Sequence, residues 1–193
     1  MNIFFVKKNA TKISIKKAKN LFFYQKISIL HCFLAKQYQD KIMKNIFDKT
    51  VSDEVITRIE KLTPQTQPLW GKMSIEKMLA HCNVTYEMVY EEGKHKKPNA
   101  LIKFILKSFV KNKVVGEAPF TKNGQTAPQF IIKDERAFEA EKKRLIEHIQ
   151  KTQELGENYF ENKESHSFGT LKAKEWNNMF YKHLDHHLSQ FGV

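Results

Sequence analysis

Three histidines in this chain have the residue type and spacing of a metal site. His183 and His187 are four residues apart in a predicted C-terminal helix. Positions i and i+4 lie on the same face of an α-helix, so two imidazoles there can bind one metal ion. A catalytic metal site typically uses three protein ligands and keeps one position open, and His81 is the best third ligand. The alternative is that these histidines are hydrogen-bonded core residues.

Helical periodicity predicts the elements that carry them. Ser52 is expected to cap a first helix, and Ser74 a second over about 75–92 that contains His81. The apolar run 101–110 predicts a short buried helix. A helix from about 134 to Leu155 and a last one from about 172 to 191, ended by Gly192, complete the set. Long loops at 112–133 and 156–170 connect them.

These segments predict an all-α fold. Four substantial amphipathic helices, long crossovers and no recognisable strand alternation are typical of a four-helix bundle, with 101–110 as an ancillary helix. Gly (7) and Pro (5) are scarce, which favours helices over a turn-rich β architecture. With seven glycines there is no Gly-rich phosphate-binding loop.

The composition divides the 193-residue chain at about residue 42. Residues 1–42 contain nine lysines and one acid, whereas residues 43–193 carry a net charge of only +4. We therefore expect a lysine-rich extension over 1–42 and a helical domain over 43–193. A charge of +4 with interspersed signs gives no reason to expect nucleic-acid binding. Two cysteines are too few for a disulfide framework and favour a reducing, cytoplasmic compartment.

Residues 1–42 permit several interpretations. The segment lacks the unbroken apolar run of a signal peptide, and Gln25, Lys26 and His31 interrupt its most apolar stretch. That stretch is also too short to span a bilayer, so stable membrane insertion is not expected. A dispensable extension upstream of a true initiator at Met43 is the first interpretation. A helix that binds a membrane surface is the second.

Four further residues are expected near the three histidines, as pocket residues or as partners of the ligands. They are Trp70, His166, His186 and Gln190. Gln190 could hydrogen-bond a ligand histidine, while Trp70 is more typical of a packing residue, as is Phe168. His31, His95 and His148 have no supporting pattern and are expected to be solvated. Cys82 has no basic neighbour and is interpreted as a small core residue.

Several motifs together resemble a known superfamily. They are Pro68-Leu-Trp-Gly-Lys-Met-Ser-Ile-Glu-Lys-Met-Leu-Ala-His81-Cys82, His166-Ser-Phe-Gly169, and the stretch from Trp176 through Tyr181-Lys-His183-Leu-Asp-His-His187 to Gly192. Over about 43–193 the chain resembles an uncharacterised branch of the bacterial DinB/YfiT-like superfamily. That resemblance implies a four-helix bundle in which His81, His183 and His187 bind one divalent metal ion. It also implies thiol S-transferase, thiol-dependent isomerase or hydrolase chemistry.

The expected cofactor is one divalent metal ion: Zn, Ni, Fe or Mn. Three neutral imidazoles leave the full charge on the metal, which suits activation of a water for hydrolysis or of a thiol for addition to an electrophile. The expected partner is a small-molecule substrate, with a low-molecular-weight thiol as one candidate, and a homodimer is a candidate assembly. The catalytic residues and the substrate are not identified. The alternatives are a non-catalytic metal-binding or structural module, and a membrane- or nucleic-acid-associated protein that uses residues 1–42.

Overall fold

The structure is a computed structural model that describes residues 43–193, so the predictions on residues 1–42, including His31, lie outside it. The described part is mostly helical, with one small antiparallel hairpin. Its helices are α1 (Lys49–Glu60), α2 (Ile75–Tyr90), α3 (Ala100–Ile105), a π-helical turn (Leu106–Val110), α4 (Lys111–Val115), a 3-10 turn (Pro128–Phe130), α5 (Phe138–Phe160) and α6 (Ala173–Gln190). The hairpin strands are β1 (Lys163–Ser165) and β2 (Gly169–Leu171).

The two helices that carry the histidines begin and end as their local sequence requires. Ser74 is the extended N-cap of α2, and its hydroxyl donates to the carboxylate of Glu76 (2.5 Å). At the start of α6, the backbone N–H of Lys172 donates to the carboxylate of Glu175 (2.9 Å), which satisfies one free donor of the first turn. Gly192 ends the last helix with φ of +78°, a left-handed conformation that glycine adopts without a steric penalty.

A cluster of buried aromatic rings fixes α6 against α2 and α5. The ring of Phe180 stacks on Tyr86 of α2 (4.9 Å between centroids) and on Trp176 (5.5 Å). Phe160 of α5 packs against both Trp176 and Phe180. These four side chains are at most 1% exposed. Because His81 lies on α2 and the other two histidines on α6, this packing sets the distance between them.

The remaining long helix, α1, closes the core. Both α5 and α6 contact it, and its Val55 and Ile59 belong to the same buried cluster as Leu145 and Ile149 of α5. Ser52, which was expected to cap this helix, instead lies inside it and donates its hydroxyl to backbone carbonyls of the first turn. The N-cap is Asp48, so the helix begins one turn earlier than predicted.

Two predictions about the middle of the chain are wrong. The segment 101–110 was expected to be buried, but its large apolar side chains are mostly exposed, and helix continues to Val115. The loop predicted over 156–170 contains the β1–β2 hairpin, and α5 extends to Phe160 past a kink at Gly156. Strands of three residues are too short to show a recognisable alternation of apolar and polar positions.

None of the helices described here combines the length and the apolar composition that a membrane crossing requires.

Candidate metal centre

The structure brings the three predicted ligands together between α2 and α6. His81 and His187 are buried, and His183 is partly buried. One ring nitrogen from each residue can be chosen so that all three lie within 4.8 Å of one another, and the Nε2 atoms of His81 and His183 are 2.8 Å apart. A tetrahedral zinc ion holds its ligand nitrogens roughly 3.3 Å apart. The 2.8 Å separation and the 4.8 Å upper limit lie on either side of that value.

Hydrogen bonds on the opposite side of two rings determine which nitrogen is free. Nδ1–H of His81 donates to the carbonyl oxygen of Phe130 (2.9 Å). The Nδ1–H of His187 donates to Oε1 of Gln190 (2.9 Å), whose amide nitrogen donates in turn to the carbonyl of Trp70 (2.8 Å). Because a carbonyl oxygen only accepts, both imidazoles hold their proton on Nδ1 when neutral. The Nε2 lone pair of each ring is therefore available to a ligand.

The third ring has a more adaptable partner. Nδ1 of His183 lies 3.1 Å from the hydroxyl oxygen of Thr85, which lies one helical turn after His81 on α2. With His81 protonated on Nδ1, the 2.8 Å contact between the two Nε2 atoms makes Nε2–H of His183 the donor, and its Nδ1 accepts from the Thr85 hydroxyl. Because a hydroxyl can also accept, the other tautomer of His183, with a free Nε2 lone pair, can form when a ligand binds. Each of the three histidines thus has a partner that orients its ring, as metal-binding histidines in proteins commonly do.

Burial keeps these imidazoles neutral. It lowers the pKa of His183 well below its usual value, and the neighbouring His81 and His187 lower it further. Burial also lowers the pKa of His187 to about 3, despite an opposing contribution from its hydrogen bond to Gln190. The pKa of His81 is lowered by burial too, partly offset by its bond to the Phe130 carbonyl. At neutral pH all three imidazoles are uncharged, and each has one nitrogen lone pair that can bind a cation.

The three histidines contribute to the lining of a cavity of about 700 Å³. Its walls are mainly apolar and aromatic, and among residues 43–193 no Asp or Glu lines it. Rings of Phe120 and Phe130 lie edge-on to His183, at centroid distances of 6.4 and 6.1 Å. All four of the other predicted residues, Trp70, His166, His186 and Gln190, also line this cavity. An apolar cavity with a few polar groups at one place is typical of a small-molecule site.

His166 and His186 differ in what their rings can do. The ring of His166, in the turn between β1 and β2, lies 3.0 Å from the hydroxyl of Ser167 and 3.2 Å from the carbonyl of His95. Both of its nitrogens are therefore engaged. The ring of His186 packs between Trp70 and Phe120, at 6.1 and 5.7 Å, and burial lowers its pKa. It is half-buried and lines the cavity.

Other predictions about individual residues have mixed outcomes. Cys82 is 1% exposed within the core, as predicted, and burial raises the pKa of its thiol. His148 was expected to be solvated, but its ring stacks on buried Tyr86 and its Nδ1 lies 3.0 Å from the amide oxygen of Asn83. His95 also has a partner, the carboxylate of Glu87 at 2.7 Å. Phe168 is buried and lines the cavity as well.

The orienting roles of Thr85 and the Phe130 carbonyl were not predicted. Thr85 follows His81 by one turn on α2, so its spacing in the sequence was a usable signal. The carbonyl of Phe130 gives no such signal, because its direction depends on the path of the loop and the 3-10 turn.

The donor set fits a divalent metal ion. Three neutral imidazoles with closely spaced ring nitrogens and hydrogen-bonded rings suit Zn and several other first-row transition metals. Fold and site together define a mostly helical protein with a candidate three-histidine metal centre. The chain belongs to the family described as "Protein of unknown function (DUF1569)", whose sequence profile matches residues 42–192. No curated protein and no solved structure matches the chain.

Proposed function

We propose that this protein is a divalent-metal-dependent enzyme that binds a small-molecule substrate in the 700 Å³ cavity. The observation that carries the proposal is the orientation of His81, His183 and His187. When neutral, His81 and His187 carry their proton on Nδ1 and have a lone pair on Nε2, and the partner of His183 permits the same tautomer. All three rings line the cavity. A site built only for structural stability would more often be closed to solvent by a fourth protein ligand.

We further propose that the domain belongs to the DinB/YfiT-like superfamily and forms its four-helix bundle. Two features support this assignment. Helix α5 contacts α1, α2 and α6, which gives the long helices the mutual packing expected of a bundle. The ligand candidates also come from the second and last of these long helices, as the resemblance implies.

The proposed chemistry is thiol S-transfer or hydrolysis. A divalent ion held by the three histidines would act as a Lewis acid and favour the deprotonated form of a water or thiol. The chain's own residues hold the rings in place, and the apolar walls restrict the access of bulk water. His186 is the proposed proton acceptor, because its half-buried imidazole lines the cavity next to the proposed ligand His187, with 5.0 Å between the ring centroids. A low-molecular-weight thiol is one candidate co-substrate.

Metal content of the full chain tests the ligand assignment. After reconstitution with Zn, Ni, Fe or Mn and removal of excess metal, we expect about one ion per wild-type chain and little in His183→Ala. His186→Ala is the matched control, since it removes a cavity imidazole that is not a proposed ligand, and it should retain the ion. Full metal occupancy in His183→Ala would overturn the assignment.

Activity assays then test the reaction class. Metal-loaded wild type would be screened with ester substrates and with thiol–electrophile pairs, and turnover should fall about 100-fold in His186→Ala although the metal is retained. Absence of turnover with both substrate classes would contradict the proposed chemistry and favour a non-catalytic metal-binding module.

A further inference from the structure

The segment 100–115 exposes an unusual amount of apolar surface. It comprises α3, the π-helical turn and α4. Phe109 is 79% exposed, Leu101 67% and Phe104 66%, and Ile102 and Ile105 are also exposed. We call these five side chains the apolar face. Exposed apolar side chains scattered singly are ordinary, but five on one short helical segment indicate a contact surface.

Lysines precede the apolar face and are interspersed with it in the sequence, and acids are absent from this stretch. Residues 94–115 contain seven lysines and no Asp or Glu. Lys94, Lys103 and Lys111 form ion pairs with carboxylates of other segments. The other four have no carboxylate within ion-pair distance among residues 43–193; they are Lys96, Lys97, Lys107 and Lys113. The segment and the turn that precedes it therefore combine exposed Leu, Ile and Phe with unneutralised positive charge, of which Lys107 and Lys113 lie within 100–115 itself.

We propose that the 100–115 segment docks the protein on an anionic lipid surface. Helices that lie in the plane of a membrane interface have this composition, with Phe and Leu entering the apolar layer and Lys contacting anionic headgroups. A second copy of the chain is a poorer occupant, because two such lysine-rich surfaces repel each other. Residues 1–42 are a poorer occupant for the same reason, since they contain nine lysines and one acid.

The same segment also forms part of the cavity wall. Leu106, Val110 and Val114 line the cavity, while Phe109 lines it and is largely exposed. The π-helical turn helps to separate the exposed side chains of α3 from the side chains that line the cavity. Its extra residue per turn rotates the residues that follow it relative to those of α3. Docking through the apolar face would bring the cavity wall next to the lipid surface. This inference goes beyond the proposed enzyme function and does not depend on it.

Vesicle co-sedimentation of the full chain tests the proposal. We expect wild type to sediment with vesicles of phosphatidylcholine mixed with phosphatidylglycerol and to remain in solution with phosphatidylcholine alone. Leu101→Ser/Phe104→Ser should weaken binding about tenfold or more, because two exposed apolar side chains are lost from the contact. Neither residue lines the cavity. Leu69→Ser is the matched control: Leu69 is 71% exposed on a different segment, and binding should not change.

The charge contribution is tested in the same assay. Lys107→Glu should weaken binding to the mixed vesicles, whereas Lys143→Glu makes the same change of charge on α5 and should have little effect. Equal binding of wild type and Leu101→Ser/Phe104→Ser would overturn the proposal and assign lipid binding to another segment. The proposal would also be overturned if wild type did not bind vesicles and instead formed a dimer that Leu101→Ser/Phe104→Ser dissociates. Circular dichroism and thermal melting of each variant establish that the fold is retained.

Discussion

Gln190 connects a proposed metal ligand to the loop before α2. Its amide oxygen accepts from His187 and its amide nitrogen donates to the carbonyl of Trp70, so one buried side chain fixes both groups. Gly71 lies against the same amide, with φ of +81°, and an added Cβ there would lie 2.7 Å from the nitrogen. The glycine therefore permits both the backbone conformation and the close approach of Gln190.

Gln190→Ala should weaken metal binding by about 10- to 100-fold, because His187 would lose the partner that fixes its ring and tautomer. Competition with a chromophoric chelator measures the dissociation constant. Gln190→Glu is the informative control: its carboxylate can still accept from His187 but cannot donate to the Trp70 carbonyl. If accepting from the imidazole is what matters, the Glu variant retains most of the affinity. Equal affinities of wild type and Gln190→Ala would contradict a positioning role.

At the scale of elements, a partly buried charge cluster joins α2 to α5. The carboxylate of Glu87 on α2 accepts hydrogen bonds from Arg144 of α5 and from His95 (2.7 Å), and Lys94 lies 2.9 Å away. Arg144 also binds Glu141 (2.9 Å) and lies 3.4 Å from Glu91, so three acids share the guanidinium. Burial acts to raise the pKa of Glu87, but hydrogen bonds from Lys94, Arg144 and His95 outweigh it and lower the pKa to about 2. The ionised cluster therefore stabilises the contact between the two helices.

This lowered pKa predicts a pH dependence of folding. Glu87 binds a proton less readily in the folded chain than in the unfolded chain, where its pKa is about 4.5. Its contribution to stability is thus present above pH 4.5 and is lost as the pH falls toward 2. Glu87→Gln should lower the free energy of unfolding by about 2 kcal/mol at pH 7, because Arg144 and Lys94 lose the carboxylate that they share, although Glu141 and Glu91 still neutralise them in part.

Urea unfolding at pH 7 and at pH 3 measures both effects. The difference between wild type and Glu87→Gln should shrink at pH 3, where part of the wild-type contribution is already lost. Glu154→Gln, which neutralises an exposed acid of α5, should change the free energy of unfolding by less than about 0.5 kcal/mol. A Glu87→Gln variant as stable as wild type at pH 7 would contradict the role of the cluster.

Periodicity predicted those elements in which the sequence itself encodes the buried face. The second and last helices were predicted within two residues of their observed bounds, because Ser74 and Gly192 mark two of their ends. At 101–110 the same kind of pattern gave a wrong prediction of burial. Periodicity indicates that a helix has an apolar face, but it does not show whether another element covers that face. For the site, a spacing of four residues on one helix suffices to place His183 and His187 together. The contact with His81 depends on tertiary packing, and there the resemblance guided the prediction.

At the scale of the whole molecule, the candidate metal centre joins elements distant in sequence. His81 lies on α2 and the other two histidines on α6, about 100 residues later in the chain. The connection between α4 and α5 also contributes, because the carbonyl of Phe130 in its 3-10 turn orients His81. The three rings lie together only in the folded chain. An ion that binds all three should therefore stabilise the folded state relative to the unfolded state.

Adding metal should therefore raise the melting temperature of wild type. At a free metal concentration 100 times the dissociation constant, linkage adds about 2.7 kcal/mol, which for a chain of this length corresponds to roughly 5–10 °C. His81→Ala removes the ligand contributed by α2 and should abolish most of the rise, although His183 and His187 remain. His186→Ala should retain it. Differential scanning calorimetry with and without metal gives the shifts. An equal rise in wild type and His81→Ala would mean that the ion does not bridge α2 and α6, because the stabilisation would then come from a site that His81 does not complete.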